Sequence, residues 1–289
     1  MRAFRTADGS VVFHEKARFK IEGELTLPCG QCIGCRLERS RQWAIRCVHE
    51  SKMHKFNCFL TLTYNDEHLP ENRSLDYKHF QSFMKRLRRR FHGVPIRFFM
   101  CGEYGESTAR PHYHALIFGL DFADKKFWRK SGSGSPLYVS DVLSRLWHFG
   151  DAYIGDVTFE SAAYCARYVL KKHTGSNSTL PYADPVTGEL RSKEFCHMSL
   201  KPGIGRPWLD RFQSDVYPHD HVVVRGNPSK PPKYYDRVLD SRDPGLLDDI
   251  RASRELDAYS RRADNTSDRL AAKEAVQRAR LTFLPRSME

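Results

Sequence analysis

Residues 112–118 read His112-Tyr113-His114-Ala115-Leu116-Ile117-Phe118, a run that predicts a β-strand. Side chains two apart on a strand share a face, so His112 and His114 aim two imidazoles at one point. Residues 96–101, Ile96-Arg97-Phe98-Phe99-Met100-Cys101, predict a second strand. The polar, glycine-containing stretch 102–111 joins the two as a hairpin would. Upstream, residues 57–64 run Asn57-Cys58-Phe59-Leu60-Thr61-Leu62-Thr63-Tyr64 and predict a third strand. Phe59, Thr61 and Thr63 lie on one of its faces, and Leu60, Leu62 and Tyr64 on the other.

Helical spacing surrounds these strands. Leu37, Trp43, Ala44, Cys47 and Val48 recur on one side of residues 36–55. Tyr77, Phe80, Met84, Leu87 and Phe91 form the apolar stripe of a helix over 75–91. Its other face carries Lys85, Arg86, Arg88, Arg89 and Arg90, a density of charge that points to phosphate contact. Ser140 is a natural N-cap for a helix ending near Gly150, and another helix runs from Thr158 to about Lys172. The Ser-Gly run 131–135 predicts a flexible loop, and 174–192 is loop-rich. A turn at 202–205 precedes a short helix over 207–214, and 221–225 predicts one more strand. From Lys230 the chain carries 13 basic and 11 acidic residues, so the positive excess lies upstream. The chain therefore divides into a Cys-rich segment and helix (1–55), a core (56–229), and a charged, partly helical tail (230–289) with a last helix near 267–283.

The net charge of +12 favours a polyanionic partner, because neutralised phosphates release counterions. A hydrophobic content of 40% is enough for a packed core. No run of 18 apolar residues occurs, which predicts no membrane span. The first ten residues are polar and predict no secretory signal. Eight cysteines without an export signal are then expected as reduced thiols, metal ligands or small core residues.

Imidazole is a common ligand for divalent metals, although His-x-His by itself equally describes two structural histidines. Two ligands rarely hold Mg²⁺ or Mn²⁺, so a third is expected. Glu103, near the end of the neighbouring strand, is the leading candidate, with Glu106, Asp66 and Glu67 behind it. On the predicted helix, Tyr164, Tyr168 and Lys171 fall at i, i+4 and i+7, on one face. Such a face also suits plain burial of two tyrosines. Taken with the histidines, it suggests phosphoryl transfer: a metal polarises the phosphate, a tyrosine displaces a DNA oxygen, and Lys171 stabilises the charge. Cys29, Cys32 and Cys35 are spaced for Zn²⁺, with Cys47 or His49 as a fourth ligand. Against zinc, successive Cys-x-x-Cys steps on a turn do not easily bring three thiolates to one metal, and no second pair follows. No Walker-type phosphate loop occurs, so strand separation would need a host helicase.

These motifs resemble the HUH endonuclease superfamily of rolling-circle replication initiators. The first motif resembles Phe59–Tyr64, the second is His112-Tyr113-His114, and the third is Tyr164-x-x-x-Tyr168-x-x-Lys171. Within the superfamily, the chain is most similar to initiators of small single-stranded-DNA phages, the gokushovirus-type microviruses. Further stretches that carry this resemblance are 28–36, 198–205 (Met198-Ser199-Leu200-Lys201-Pro202-Gly203-Ile204-Gly205) and 231–235 (Pro231-Pro232-Lys233-Tyr234-Tyr235). It covers about residues 28–240. It implies an α+β fold, a central antiparallel sheet with flanking helices of the ferredoxin or RNA-recognition-motif plan. It implies metal ligation by His112, His114 and Glu103, and alternating attack by Tyr164 and Tyr168. One tyrosine nicks the origin and stays on the 5′-phosphate, and the second cuts the new junction so that the displaced strand closes. Implied partners are single-stranded and replicative-form origin DNA, with a host helicase and polymerase, in the cytoplasm of an infected bacterium. Two rival functions remain open at this point. One is an HUH relaxase or transposase. The other is a non-enzymatic single-strand-binding module in which Phe98, Phe99 and Tyr113 stack on bases.

Overall fold

A computed structural model describes residues 2–14, 18–70, 72–105, 108–168, 182 and 188–282. The predicted strands pair as a seven-stranded, wholly antiparallel sheet. Its central strands are β4 (Asn57–Thr63), β5 (Arg97–Tyr104) and β6 (Pro111–Phe118), which follow a three-stranded sheet of β1 (Arg2–Thr6), β2 (Val11–Val12) and β3 (Ile21–Thr26). The large sheet is completed by β7 (Lys126–Lys130), β8 (Pro136–Val139), β9 (Ala152–Gly155) and β10 (Phe195–Met198), in the order β10-β5-β6-β4-β9-β8-β7. The fold is α+β, a large antiparallel sheet flanked by helices.

All eight residues of β6 are buried, because strands flank it on both edges and helices cover both faces. The two faces bury different chemistry. Tyr113, Ala115 and Ile117 join Leu60, Leu62 and Met100 under α2 (Tyr77–Arg90), which contributes Phe80, Phe83, Met84 and Leu87. Asp76 caps that helix by accepting from the Lys78 amide at 2.8 Å. Also on this side, Ser140 caps α3 (Asp141–Leu146) by accepting from Leu143 N at 3.1 Å. Across the sheet, Leu116, Phe118, Phe59, Phe99 and Cys101 pack against α1 (Ile33–Ser51) and α4 (Phe159–Tyr168). Alternation along β6 therefore sends its histidines toward α4 and its tyrosine toward α2.

A third core joins Ile45 of α1 to α5 (Arg206–Val216), α6 (Lys233–Asp240) and α7 (Pro244–Ser260). Tyr235, Val238, Leu239, Leu247 and Ile250 are buried there, so the segment from Lys230 enters the core before it becomes exposed. The last helix, α8 (Ser267–Thr282), is exposed along almost its whole length.

Three expectations need correction. The Ser-Gly run 131–135 is not a free linker but the turn of the β7–β8 hairpin, closed by Ser131 N to Ser135 O at 2.8 Å. The hairpin between β5 and β6 is tighter than 102–111, because pairing continues through Glu103↔His112 to Tyr104↔Pro111. Phe99 and Tyr113 are fully buried and Phe98 packs against Phe80, so none of the three is a free platform for bases.

Candidate active site

Strand register sets the geometry. Glu103 of β5 lies directly opposite His112 of β6, and Thr61 of β4 opposite His114. Glu103, His112 and His114 consequently share the face that meets α4. Glu103 Oε1 lies 2.9 Å from His112 Nε2 and 2.8 Å from His114 Nε2. The first contact is aligned as a hydrogen bond and the second is not, so His114 Nε2 and Glu103 Oε2 lack a hydrogen-bond partner among the described residues. Burial by itself would raise the Glu103 carboxyl, but hydrogen bonds and charge from His112 and His114 outweigh it and hold the group at about 2.

These atoms fit a hard divalent ion. One ligand atom from each residue lies within 4.8 Å of the other two. Ligands about 2.1 Å from an octahedral ion sit roughly 3.0 Å apart when adjacent, close to the carboxylate–imidazole spacings here. The other ring nitrogens are already engaged. His112 Nδ1 donates to the Arg110 carbonyl at 3.2 Å, and His114 Nδ1 lies 3.1 Å from Thr61 Oγ1. A carbonyl only accepts, so His112 carries its proton on Nδ1 and, when neutral, keeps its lone pair on Nε2. Phe59 stacks on the His114 ring, with centroids 5.4 Å apart and planes 5° off parallel, which fixes the ring's orientation.

Tyr164 reaches the same point from α4. Its hydroxyl donates to Glu103 Oε1 at 3.3 Å, and its ring meets His114 edge-on at 5.0 Å. Ser40 of α1 holds this helix by donating to the Ala163 carbonyl at 3.1 Å. Tyr168 ends α4 one turn further on. Its side chain, and all of Lys171 and Glu106, lie outside the described residues. Asp66 is exposed and pairs with Arg110 at 2.6 Å, and Glu67 is exposed, so neither joins the cluster. The arginine-rich face of α2 lies across the sheet from Glu103, His112 and His114. Thr61 was not singled out as a functional residue in the sequence, yet its face was legible there.

Cys29, Cys32 and Cys35 bring their sulfurs within 4.8 Å of one another just before and within the first turn of α1. A tetrahedral zinc with bonds of about 2.3 Å spaces its sulfurs by about 3.8 Å, so the expected obstacle to three thiolates on one metal does not hold. The chain reverses tightly enough for Cys32 N to donate to Cys29 Sγ at 3.2 Å. The expected fourth ligands are elsewhere. Cys47 is buried in the α1–α4 core, and His49 stacks on Trp208 and bonds Tyr235 Oη at 2.8 Å.

Residues 57–173, which span the whole Glu103–His112–His114–Tyr164 cluster, match the family of replication-associated proteins described by the name ORF2. The chain is 35% identical over 243 residues to the replication-associated protein VP4 of Bdellovibrio phage phiMH2K, covering 81% of this chain and 74% of that protein. The chain belongs to the phage replication-associated proteins, of the microvirus type. The family likeness extends to the replication-associated protein ORF2 of Spiroplasma virus 4, 33% identical over 244 residues, or 80% of this chain and 73% of the relative. Replication-associated protein ORF4 of Chlamydia phage 1 is 35% identical over 167 residues, 55% of this chain and 41% of its own length. No solved structure matches the chain.

Proposed function

We propose that the chain initiates replication of a circular phage genome by nicking one strand at the origin with a tyrosine. Family membership supports the role in replication initiation. The observation that carries the chemistry is the convergence of three ligand atoms and the Tyr164 hydroxyl on one buried point. Glu103, His112 and His114 hold Mg²⁺ or Mn²⁺. When bound, such an ion supplies charge to the scissile phosphate and lowers the cost of the extra negative charge in displacement.

Tyr164 Oη attacks phosphorus, the Tyr O–P bond forms, and the P–O3′ bond breaks. The phenol gives up its proton and the leaving 3′-oxygen takes one, so the products are a 5′-phosphotyrosine and a 3′-hydroxyl. One phosphodiester replaces another, which keeps the step near balance and allows the later rejoining. Tyr168, one helical turn away, cuts the junction after a round of synthesis, and Lys171 stabilises charge on the phenolate or the phosphorane. The substrates are single-stranded and replicative-form origin DNA, with a host helicase and polymerase doing the unwinding and synthesis inside the infected cell. Glu103, His112, His114 and Tyr164 are at most 6% exposed, so entry of the scissile phosphate requires the groups covering them to shift.

Incubating the protein with Mn²⁺ and single-stranded origin DNA is expected to give an adduct that survives denaturing electrophoresis. Tyr164→Phe/Tyr168→Phe is expected to abolish it. An adduct of undiminished yield in that double variant rules out the tyrosine assignment. The second proposed metal is Zn²⁺ on Cys29, Cys32 and Cys35, serving to brace the entry to α1.

A further inference from the structure

A cavity of about 590 Å³ opens on a second face of α1, between that helix and α6. It is lined by Arg39, Trp43, Arg46, Lys233, Tyr234 and Arg237, together with Gln42 and Asp236. Arg39, Gln42, Trp43 and Arg46 follow helical spacing and so share one face.

Arg46 sets the character of the site. It is 8% exposed, and its guanidinium lies between two rings, 4.0 Å from the Trp43 centroid and 3.9 Å from that of Tyr234. Its Nε donates to the Ile204 carbonyl at 2.9 Å. No carboxylate pairs with it among the described residues. Glu50, one turn on, is engaged by Arg97 at 2.5 Å, by the Gly205 amide at 2.7 Å and by His54. Asp236 accepts from Tyr217 Oη at 2.6 Å and from Arg254 at 2.9 Å. A buried cation without a counter-charge is costly, and the planar fork of an arginine clamped between aromatic rings is preorganised for an oxyanion. Arg39, Lys233 and Arg237 are exposed at the rim and make no ion pair among the described residues.

Two stretches that the nicking chemistry does not use converge on this arginine. Residues 202–205 supply the Ile204 carbonyl, and an added Cβ at Gly203 would lie 2.5 Å from Tyr234 Oη. At Gly205 it would lie 2.8 Å from Tyr235 Oη and 3.1 Å from the Arg46 carbonyl. Residues 231–235 supply Lys233 and Tyr234, and the Lys233 amide is fixed by Gln42 Oε1 at 3.1 Å. The glycines are there because the tyrosines approach that closely.

We propose that this cavity is a phosphate-binding subsite that anchors one nucleotide of single-stranded DNA away from the nick site. Arg46 takes the phosphate on its free edge, and Arg39, Lys233 and Arg237 surround it with positive charge. The volume suits a nucleotide rather than a bare ion. The cavity is served by α1, which covers the sheet face carrying Glu103, His112 and His114, and Trp43 packs on Phe99 of β5 at 5.0 Å. One strand of DNA can therefore engage both sites from the same side. Taking DNA as the source of the phosphate rests on the function proposed above.

The test is binding of a fluorescein-labelled single-stranded oligonucleotide, followed by anisotropy in EDTA so that no metal contributes. Arg39→Glu/Lys233→Glu/Arg237→Glu alters only exposed side chains. It is expected to weaken binding at least about tenfold and to lower the salt slope by about 2, from roughly 0.7 per lost phosphate contact. Arg46→Lys keeps the charge, loses the fork, and is expected to weaken binding with an unchanged circular dichroism spectrum. Affinity and slope within about twofold of wild type in the triple variant overturn the proposal. In a second arm, a deoxynucleoside monophosphate competes. If it binds wild type but not the triple variant, while the oligonucleotide binds both alike, the ligand is a free nucleotide and the assignment to DNA is wrong. The two proposals fail separately: adduct formation reports on the tyrosines, and metal-free binding reports on this cavity.

Discussion

Thr61→Val removes one oxygen and little volume, and it bears on how His114 is held. Thr61 is 3% exposed and His114 is fully buried, so water cannot replace the 3.1 Å contact between Thr61 Oγ1 and His114 Nδ1. In the valine variant a buried ring N–H loses its acceptor, which costs about 1–3 kcal/mol of folding stability. The imidazole can then move its proton to Nε2, the nitrogen that faces Glu103, and cease to be a ligand. Losing a partner of this kind lowers metal affinity by about 10–100-fold, or roughly 1.4–2.8 kcal/mol. Calorimetric titration with Mn²⁺ measures the affinity, and urea unfolding measures the stability. Thr61→Ser restores the oxygen and is expected to bind Mn²⁺ within about threefold of wild type. A folded Thr61→Val protein that binds Mn²⁺ as tightly as wild type would show that the hydroxyl does not set the tautomer, and the account of His114 would be wrong.

Other predictions concern neighbouring geometry. Tyr113→Phe removes a hydroxyl that donates to Asp76 O at 2.7 Å and accepts from Asp76 N at 3.1 Å, and should cost about 1–3 kcal/mol in urea unfolding. Because Tyr113 points to the α2 side, Mn²⁺ affinity should stay unchanged. Cys29→Ser/Cys35→Ser should lose zinc detected by elemental analysis of protein grown with it, and equal zinc in variant and wild type would remove the second metal from the account. Stability should fall on acidification. Burial keeps His49 neutral, down from 6.5 to about 3, so the unfolded chain takes up a proton first and stability erodes between those values. Burial would raise Glu50, but hydrogen bonds from His54, Gly205 and Arg97 hold it below the usual carboxylate range, and its contribution is lost as pH falls further. His49→Gln should flatten the urea midpoint between about pH 6.5 and about pH 4.5, and an unchanged slope would contradict the assignment.

What the sequence disclosed depended on whether a segment's partner was local. Alternation at 112–118 was enough to put His112 and His114 on one face, and the nine-residue spacing to Glu103 matches the hairpin register. β7 was missed because Lys126–Lys130 is exposed throughout and shifts register between Phe127 and Arg129, so it shows no period of two. β9 has four residues and takes its stability from β4 rather than from its own pattern. The segment from Lys230 read as a charged tail because its acids and bases nearly balance. In the fold, Arg254 pairs with Asp220 and Asp236, while Tyr235 and Leu239 bury beneath them. The thiols at 29–35 come together through a local backbone reversal, which residue spacing alone does not reveal.

The central claim is that a tyrosine of α4 becomes joined to DNA at the metal held by Glu103, His112 and His114. Peptide mass spectrometry of the adduct formed on origin DNA with Mn²⁺ tests it most directly. The account predicts a nucleotide on the peptide bearing Tyr164 and Tyr168, lost in EDTA and in His112→Ala/His114→Ala. A nucleotide mapped to any other residue, or an adduct that persists without metal and without both histidines, would contradict it.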